Sequence, residues 1–550
     1  MAAITGTSSD DILNGTPEDD QIMGLEGNDR LFGEDGNDRL SGGLGDDHIE
    51  GGAGDDMLSP SFFGSPDSEA GFDLLDGGPG SDSISYFFTR VGVNVNLLTG
   101  IGSGGAEGDR YISVENVEAT AQHDVIIGND ADNVIDGRFG DDHIEAGGGD
   151  DTIHVYDQAD IDGGAGVDHL EMNVSGTLDW TMDTTTEGAH FQNIEQFTLY
   201  GADTDDVFRT GDYSDLLYGN FGDDILSGGG GDDEIHGGNG NDVIEGGMGA
   251  DILYGNEFAW TYDDTAVYAH SAAGVTVDLV SGRGFGGDAE GDTLFFFHNV
   301  VGSAHGDTLI GTTLDDRLDG GAGDDHLISG GNSGRDSDFQ NGGDLLRGGA
   351  GADILEASAG SENEPTRATY DTSSAGVTVN LANGRGTGGD AQGDTLIRIK
   401  DVEGSAHDDT LLGSSSRDFL NGAAGADHVE GGGGHDSLHG GAGGDVIAGG
   451  EGNDWLVGGE GSDTFIYDME AGSRDRIVDF QAGDGGDIIG LTKAAQDWAG
   501  IHSFGDLVAH ADDTPDGLYI DLGDGRPWTY GILMENTHVA DLSADNLHLM

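Results

Sequence analysis

A nine-residue recurrence constrains this chain more than any other property. "GGLGDDHIEGGAGDDML", from Gly42 to Leu58, spells it twice: two glycines, a spacer, Gly, a spacer, Asp, a spacer, then an aliphatic residue. With the Asp as phase marker, one series is Asp11, Asp20, Asp29, Asp38, Asp47 and Asp56. A second is Asp206, Asp215, Asp224, Asp233, Asp242 and Asp251, and a third runs in the same steps from Asp409 to Asp463. Shorter runs hold Asp73 and Asp82; Asp124, Asp142 and Asp151; Asp307, Asp316 and Asp325; Asp344 and Asp353. The residue two after the Asp is apolar in all these units, as at Leu40, Ile49, Ile235, Leu438 and Leu456. An apolar residue every nine positions fits neither a helix nor a lone hairpin. It fits a glycine–aspartate turn followed by a very short strand, with the apolar side chain inward. One unit cannot bury its single apolar residue, whereas stacked coils place such residues in a continuous ladder.

The recurrence is costly. The chain holds 105 Gly and 107 Asp and Glu against 19 Lys and Arg, a formal charge of −88. Glycine loses the most backbone entropy on folding, adjacent carboxylates repel, and such a composition without a ligand favours disorder. A bound cation offsets both costs. The same charge argues against nucleic acid and anionic membrane surfaces as partners. With no Cys, disulfides and thiolate metal sites are excluded. The start, "MAAITGTSSDDILNG", has neither the basic nor the apolar region of a cleavable signal. The densest apolar patch, "LFFFHNVVG" from Leu294, is too short to span a membrane. Carboxylates joined by glycine carbonyls, with no His fixed in the unit, suit a hard cation that takes six to eight oxygens, which is Ca²⁺.

The stretch "GGGGDDEIHGGNGNDVIEGGMGADIL", Gly228 to Leu253, closely resembles the RTX (repeats-in-toxin) hemolysin-type calcium-binding repeat. The resemblance covers most of the chain. It implies an all-β protein: parallel β-roll blocks with two nonapeptides per coil, separated by β-rich inserts and closed by a C-terminal β cap. It also implies multiple Ca²⁺ ions held between turns. The expected metal residues in the first blocks are Gly33, Gly36, Asp38, Gly42, Gly45, Asp47, Gly51, Gly54, Asp56, Asp142 and Asp151. In the middle of the chain they are Gly219, Gly222, Asp224, Gly228, Gly231, Asp233, Gly237, Gly240, Asp242, Gly246, Gly249, Asp251, Asp325 and Asp353. In the last block they are Asp427, Gly431, Gly434, Asp436, Gly440, Gly443, Asp445, Gly449, Gly452, Asp454, Gly458, Gly461 and Asp463.

The glycine two before the Asp is missing where blocks open: Ser9, Glu18, Gln122, Thr204, Tyr213, His305, Leu314, His407 and Ser416 stand there instead. These degenerate units are expected to cap each block and to lack a full ion site. Three inserts copy one another: "GVNVNLLTGIGSGGAEGD" from Gly92, "GVTVDLVSGRGFGGDAEGD" from Gly274 and "GVTVNLANGRGTGGDAQGD" from Gly376. Each opens on the strict alternation of a half-buried strand and ends in a second apolar segment, "ISVENVEAT", "FFFHNVVGS" or "IRIKDVEGS". "FQNIEQFTLYG" from Phe191 reads as a diverged second segment. These inserts are expected to be spacers that start the next roll. The expected division is RTX blocks at 1–90, 121–175, 206–256, 303–358 and 405–464, inserts at 91–120, 176–205, 257–302 and 359–404, and a cap at 465–550. Within the cap, the apolar residues from Phe465 to Ile489 should cover the end of the last block. The final stretch resembles the uncleaved signal of type I secretion substrates, which implies an exporter as partner and an extracellular location.

No H-E-x-x-H occurs, and "GNSGR" at Gly331 fails the G-x-S-x-G pattern at its last position. His305 and His407 are equivalent, but Gln122 takes their place in the first insert, which favours structural histidines. No stretch of about 100 residues, the usual size of an independent domain, is left unassigned. The reading is a secreted calcium-binding protein with a structural, adhesive or surface role, for which an extracellular polysaccharide or cell surface is a candidate partner. The alternative is a secreted RTX-type enzyme or toxin, polysaccharide-active or a hydrolase, with an active site in the inserts.

Overall fold

The computed structural model describes residues 2–61, 71–156, 159–174, 177–179, 184–185, 190–256, 263–330, 343–359, 366–468, 474–483, 485–523 and 530–550. The string at Gly331 lies outside them, as do parts of the 176–205, 257–302 and 359–404 segments and of the C-terminal stretch. The chain divides into two units, Met1–Asp264 and Thr265–Met550.

In the first unit each coil gives one short strand to each of two parallel sheets. Gln21–Glu26 pairs with Arg39–Leu44 on one side, and Arg30–Asp35 pairs with His48–Ala53 on the other. The register is eighteen residues, two nonapeptides: Ile22 lies opposite Leu40 and Leu40 opposite Leu58, while Leu31 lies opposite Ile49. The apolar residue of every unit thereby joins a ladder, and Ile22, Leu31, Leu40, Ile49 and Leu58 are at most 1% exposed. Later in the unit Leu217, Ile235 and Leu253 form the same ladder, faced by Phe208, Leu226 and Ile244. This is the all-β parallel roll that the nine-residue period predicts. In the repeat coils the aliphatic core is two stripes one side chain wide.

The second unit repeats the plan. Val379, Leu411, Val429, Ile447, Phe465, Ile489 and Leu547 form one continuous ladder. Val402, Leu420, Leu438, Leu456, Ile477 and Met534 form the other. Residues after Asp463 therefore extend both ladders. The last coil is closed by Asp479, whose carboxylate oxygens accept from the Gly458 and Gly459 amides at 2.9 and 2.8 Å. Beyond it lie an antiparallel sheet, Ala511–Thr514, Gly517–Asp521 and Gly531–Met534, and two short helices, Lys493–Ala499 and Phe504–Ala509. The helices were not expected from a β cap. Thr492 and Ser503 supply their N-caps, each accepting an amide hydrogen bond two or three residues into the helix.

The inserts add hairpins to the roll without leaving it. Val93–Asn96 pairs antiparallel with Ile101–Gly104, and the same strand pairs parallel with the coil that follows, Val95 opposite Ile126. The copies behave alike: Thr276–Asp278 pairs with Arg283–Phe285 and Thr378–Asn380 with Arg385–Thr387. The second segments rejoin the sheets, as Asn116–Glu118 does beside Ser83–Ser85. The likeness of the Phe191 segment to them extends to one hydrogen bond. Glu115 Oε2 accepts from the Asp82 amide at 3.0 Å, and Glu195 Oε2 from the Asp168 amide at 2.9 Å.

Truncation before Phe465 removes the strands and the Asp479 carboxylate that end both ladders. An uncovered roll presents apolar side chains and unpaired strand groups. The truncated chain is expected to self-associate in millimolar Ca²⁺, as read by light scattering, and to bind calcium more weakly than the full chain. A monodisperse truncated chain with an unchanged titration would refute this.

Candidate metal sites

The sixteen aspartates expected as metal residues share one environment. Asp38, Asp47, Asp56, Asp142, Asp151, Asp224, Asp233, Asp242, Asp251, Asp325, Asp353, Asp427, Asp436, Asp445, Asp454 and Asp463 are at most 3% exposed. In each, Oδ1 accepts the amide of the residue at the same place one coil earlier, at 2.7–2.9 Å. This uses one carboxylate oxygen as a backbone acceptor. The second is another matter. Oδ2 of Asp38, Asp47, Asp56, Asp151, Asp224, Asp233, Asp242, Asp325, Asp353, Asp427, Asp436, Asp445 and Asp463 is buried with no hydrogen-bond partner. A buried charged oxygen left unpaired is among the most expensive features a fold can carry.

The glycines stand around this oxygen in two groups. Gly33, Gly42, Gly51, Gly219, Gly228, Gly237, Gly246, Gly431, Gly440, Gly449 and Gly458 lie directly against Oδ2 of the Asp five residues on. A methyl group built on Gly33 would collide with Asp38 Oδ2 and with the carbonyl oxygen of Gly51, one coil further on. The absent Cβ thus leaves a cradle where a carboxylate oxygen and a carbonyl oxygen converge. Gly36, Gly45, Gly54, Gly222, Gly231, Gly240, Gly249, Gly434, Gly443, Gly452 and Gly461 make the turn just before the Asp. Gly54, for example, has φ 142°, and a side chain there would strike the Gly36 carbonyl of the preceding coil. Among the described residues no three acidic or histidine side chains gather closely enough to hold an ion by themselves. Bare carboxylate oxygens beside backbone carbonyls fit a hard cation that draws much of its coordination from the main chain.

Eight of the nine degenerate units close the same oxygen internally; in the ninth, Asp215 Oδ2 is buried without a hydrogen bond from the residue four before it. Oδ2 of Asp11, Asp20, Asp124, Asp307, Asp316, Asp409 and Asp418 accepts the amide of the residue four before it, at 2.5–2.9 Å. That residue is Thr7, Thr16, Thr120, Ser303, Thr312, Ser405 or Ser414. Its hydroxyl also donates to the same carboxylate. Asp206 is served by the Ala202 amide at 2.7 Å. In units with a bare Oδ2 the corresponding residue is left-handed instead, as at Glu34 (φ 80°), Gly43 (121°), Asn220 (71°) and Ala423 (73°). That turn points the amide away from the carboxylate. The choice between the two turns is therefore made four residues before the Asp, whereas the sequence reading looked two before it.

Four aspartates outside the expected metal set, three of them members of the nine-residue series, share the same arrangement. Asp29, Asp73, Asp82 and Asp168 each accept an amide on Oδ1 from one coil back and bury an unpartnered Oδ2. Asp168 stands seventeen residues after Asp151, so a strict nine-residue count passes over it. The local string "GGAGVDHL" ending at Leu170 was its signal. The inserts hold a further variant. Asp109 and Asp394 accept amides from Asp73 and Asp353 on Oδ1, and their Oδ2 accepts from the buried hydroxyls of Tyr86 and Tyr370 at 2.7 and 3.0 Å. Tyr268 and Asp292 repeat the pair at 2.9 Å. A tyrosine hydroxyl here satisfies the oxygen that the repeats leave bare. His305 and His407 are turn residues whose amides donate to Ser303 and Ser405.

Burial without a cation pushes these carboxyls up, and neighbouring aspartates add to it, against the lowering effect of the donated amide. Asp47 and Asp224 rise to about 7, and Asp233 and Asp353 to about 8. The fold and its carboxylate rows define a calcium-binding β-roll protein. A family model of the RTX calcium-binding nonapeptide repeat (4 copies) matches residues 5–40, 32–59, 68–86, 118–153, 200–235, 227–259, 301–335, 340–362, 403–438 and 439–468. Together these cover more than half of the chain, and the chain belongs to that family. The number of repeats implies several Ca²⁺ ions. No curated protein matches the chain. Among solved structures it is similar to the extracellular lipase LipA from Serratia marcescens at 14% identity with a TM-score of 0.16. The match covers 70% of this chain and 45% of the lipase, so the chain spans less than half of the lipase's length.

A raised folded-state pKa makes the metal-free roll most stable below the ordinary carboxylate range. That stability is lost as pH rises from about 4 through 7–8. In EDTA the β signal in circular dichroism should therefore grow as pH is lowered from 8 to 5. Calcium binding at pH 7 should release protons and weaken on acidification. A metal-free signal that falls on acidification would contradict the arrangement. Separately, Asp233→Ala should weaken calcium binding about tenfold or more, about 1.4 kcal/mol or more. Asp11→Ala, in an internally closed unit, should cost far less. Equal losses in calorimetric titrations would refute the distinction between the two turns.

Proposed function

We propose that the chain is a secreted calcium-binding protein whose rolls stay unfolded in the cell and fold on meeting extracellular calcium. The observation that carries this is the row of buried carboxylate oxygens without partners. A fold built on them stands only when something cationic fills the turns. The ions are assigned to the turns with a bare Oδ2 and a left-handed residue four before the Asp, and the glycines named above shape those turns. The Ser/Thr-closed units carry no ion and begin the blocks, which follow the division given above. Weak sites of extracellular modules typically bind at about 10⁻⁴–10⁻³ M, and binding to the folded state alone stabilises it by mass action. Such sites stay empty at cytosolic calcium and fill outside.

The C-terminal segment serves in this reading as both the end of the roll and the address read by a type I exporter. The role outside is structural or adhesive, at a cell surface or in a matrix. The insert features described above serve the roll: hairpins extend its sheets, and the Tyr86 and Tyr370 hydroxyls satisfy its carboxylates. The test is circular dichroism in EDTA and in millimolar Ca²⁺ at pH 7.5. A coil-like spectrum should convert cooperatively to β on calcium addition, and an unchanged β spectrum in EDTA would sink the proposal. Removing the residues from Phe465 onward should hold the chain inside a cell that carries the exporter. Normal export of that truncated chain would remove the secretion assignment alone.

A further inference from the structure

The outward face of one sheet in the second unit carries one side chain per coil in direct register: Arg367, Asp401, Phe419, Ser437, Trp455 and Arg476. Trp455 is 42% exposed, and Phe419 is half-buried. Between them stands Ser437, the smallest member of the row. Neighbouring strands lie about 4.8 Å apart, so the backbones of Phe419 and Trp455 are about 9.6 Å apart. Two aromatic rings stacked at about 4.5 Å on either side of a third ring would stand about 9 Å apart. The register therefore leaves a gap of one strand, floored by Ser437, between Phe419 and Trp455, about the width of one ring.

The slot opens into a groove of about 650 Å³ that is also lined by Asn421, His435, His439 and Asn453. Its polar groups both donate and accept. Arg417 lies over the Phe419 ring at 4.9 Å and Arg476 over the Trp455 ring at 4.8 Å. Arg476 sits one strand beyond Trp455, on the side away from Ser437. Both rings are held in place, as an aromatic binding wall requires.

Charge selects the ligand. Arg367 is matched by Asp401 through two hydrogen bonds at 3.1 Å, Arg476 by Glu535, and Arg417, which also lines the groove, by the charge of nearby Asp436. With these guanidinium groups neutralised on a chain of net charge −88, a polyanion is repelled. Nucleic acids and polyuronates are thereby disfavoured. What remains is a neutral ring with apolar faces and a rim of hydroxyls.

We propose that this slot binds one neutral pyranose unit of a polysaccharide, stacked between Phe419 and Trp455 and hydrogen-bonded by Ser437, Asn421 and His439. The open ends of the groove suit an internal sugar of a longer chain. The binding site stands on the geometry alone, and only its use rests on the adhesive reading above.

The test uses the full chain in millimolar Ca²⁺, titrated by calorimetry with cellohexaose, laminarihexaose, maltohexaose, mannohexaose and a hexauronate. At least one neutral hexasaccharide should bind. Trp455→Ala and Phe419→Ala should each weaken that binding tenfold or more, and Ser437→Leu, which fills the slot, should abolish it. All three substitutions lie on the outer face, so the calcium midpoint of folding should stay put, which separates loss of the slot from loss of the fold. No binding of any neutral sugar, equal binding by the variants, or preference for the hexauronate would each overturn the proposal. If the sugar binds but Trp455→Ala leaves attachment of the protein to cells unchanged, the slot stands and the adhesive reading falls.

Discussion

The structure depends on what happens to one oxygen atom per turn. Each of the sixteen aspartates expected as metal residues spends Oδ1 on the amide of the coil before it, which locks neighbouring coils in register at 2.7–2.9 Å. The geometry that makes this bond also buries Oδ2. Three solutions to that burial occur along the chain. The first is a Ser or Thr four residues earlier, as Ser405 serves Asp409. The second is a tyrosine hydroxyl from an insert, as Tyr370 serves Asp394. The third is to leave the oxygen bare beside a carbonyl-lined cradle, a place that suits a divalent cation. The narrow aliphatic ladders cannot substitute for the third, because each coil buries only two such side chains for eighteen residues ordered.

The period of nine carried the ladder, the coil length and the sheet class into view before any coordinates. It could do so because an inward side chain at a fixed place in a stacked coil has no freedom to drift. The choice of turn was less legible. Glycine two before the Asp marks a tight approach of coils, as Gly54 shows against Gly36, but the fate of Oδ2 is set at Glu34, Ala423 or Ser405, where residue types vary. Asp168 escaped a strict count because its coil is one residue short, and a β-bulge where Asp136 and Arg138 face His154 and Val155 takes up the deletion. The Tyr–Asp pairs of the inserts join residues 23 or 24 positions apart across a hairpin, a distance no local pattern reports. The two helices after Leu491 were hidden for a similar reason: a segment of seven residues packed on the roll's end follows its neighbours more than its own propensity.

The inserts change what a block boundary means. A hairpin such as Val93–Asn96 with Ile101–Gly104 joins a sheet instead of interrupting it. The internally closed turns that follow, at Asp124, Asp307 and Asp409, then restart the repeat without demanding an ion. The rows of bare Oδ2 atoms are thereby interrupted at these closed turns.

The direction of the amide-to-Oδ1 bonds gives each stack two unlike ends. Its first coil presents carboxylates that lack donors, and its last presents amides that lack acceptors. The ends are finished accordingly. The Ala2 amide and the hydroxyls of Thr7 and Thr16 donate at the start. Glu115, Glu195, Asp475 and Asp487 accept at the finish. The coils with a bare Oδ2 inside a stack each give and receive the same bond, so within a stack neither end senses how many such coils lie between. The roll is in this respect a polymer with fixed end groups: evolution or an engineer can lengthen or shorten it by whole eighteen-residue coils without redesigning either terminus.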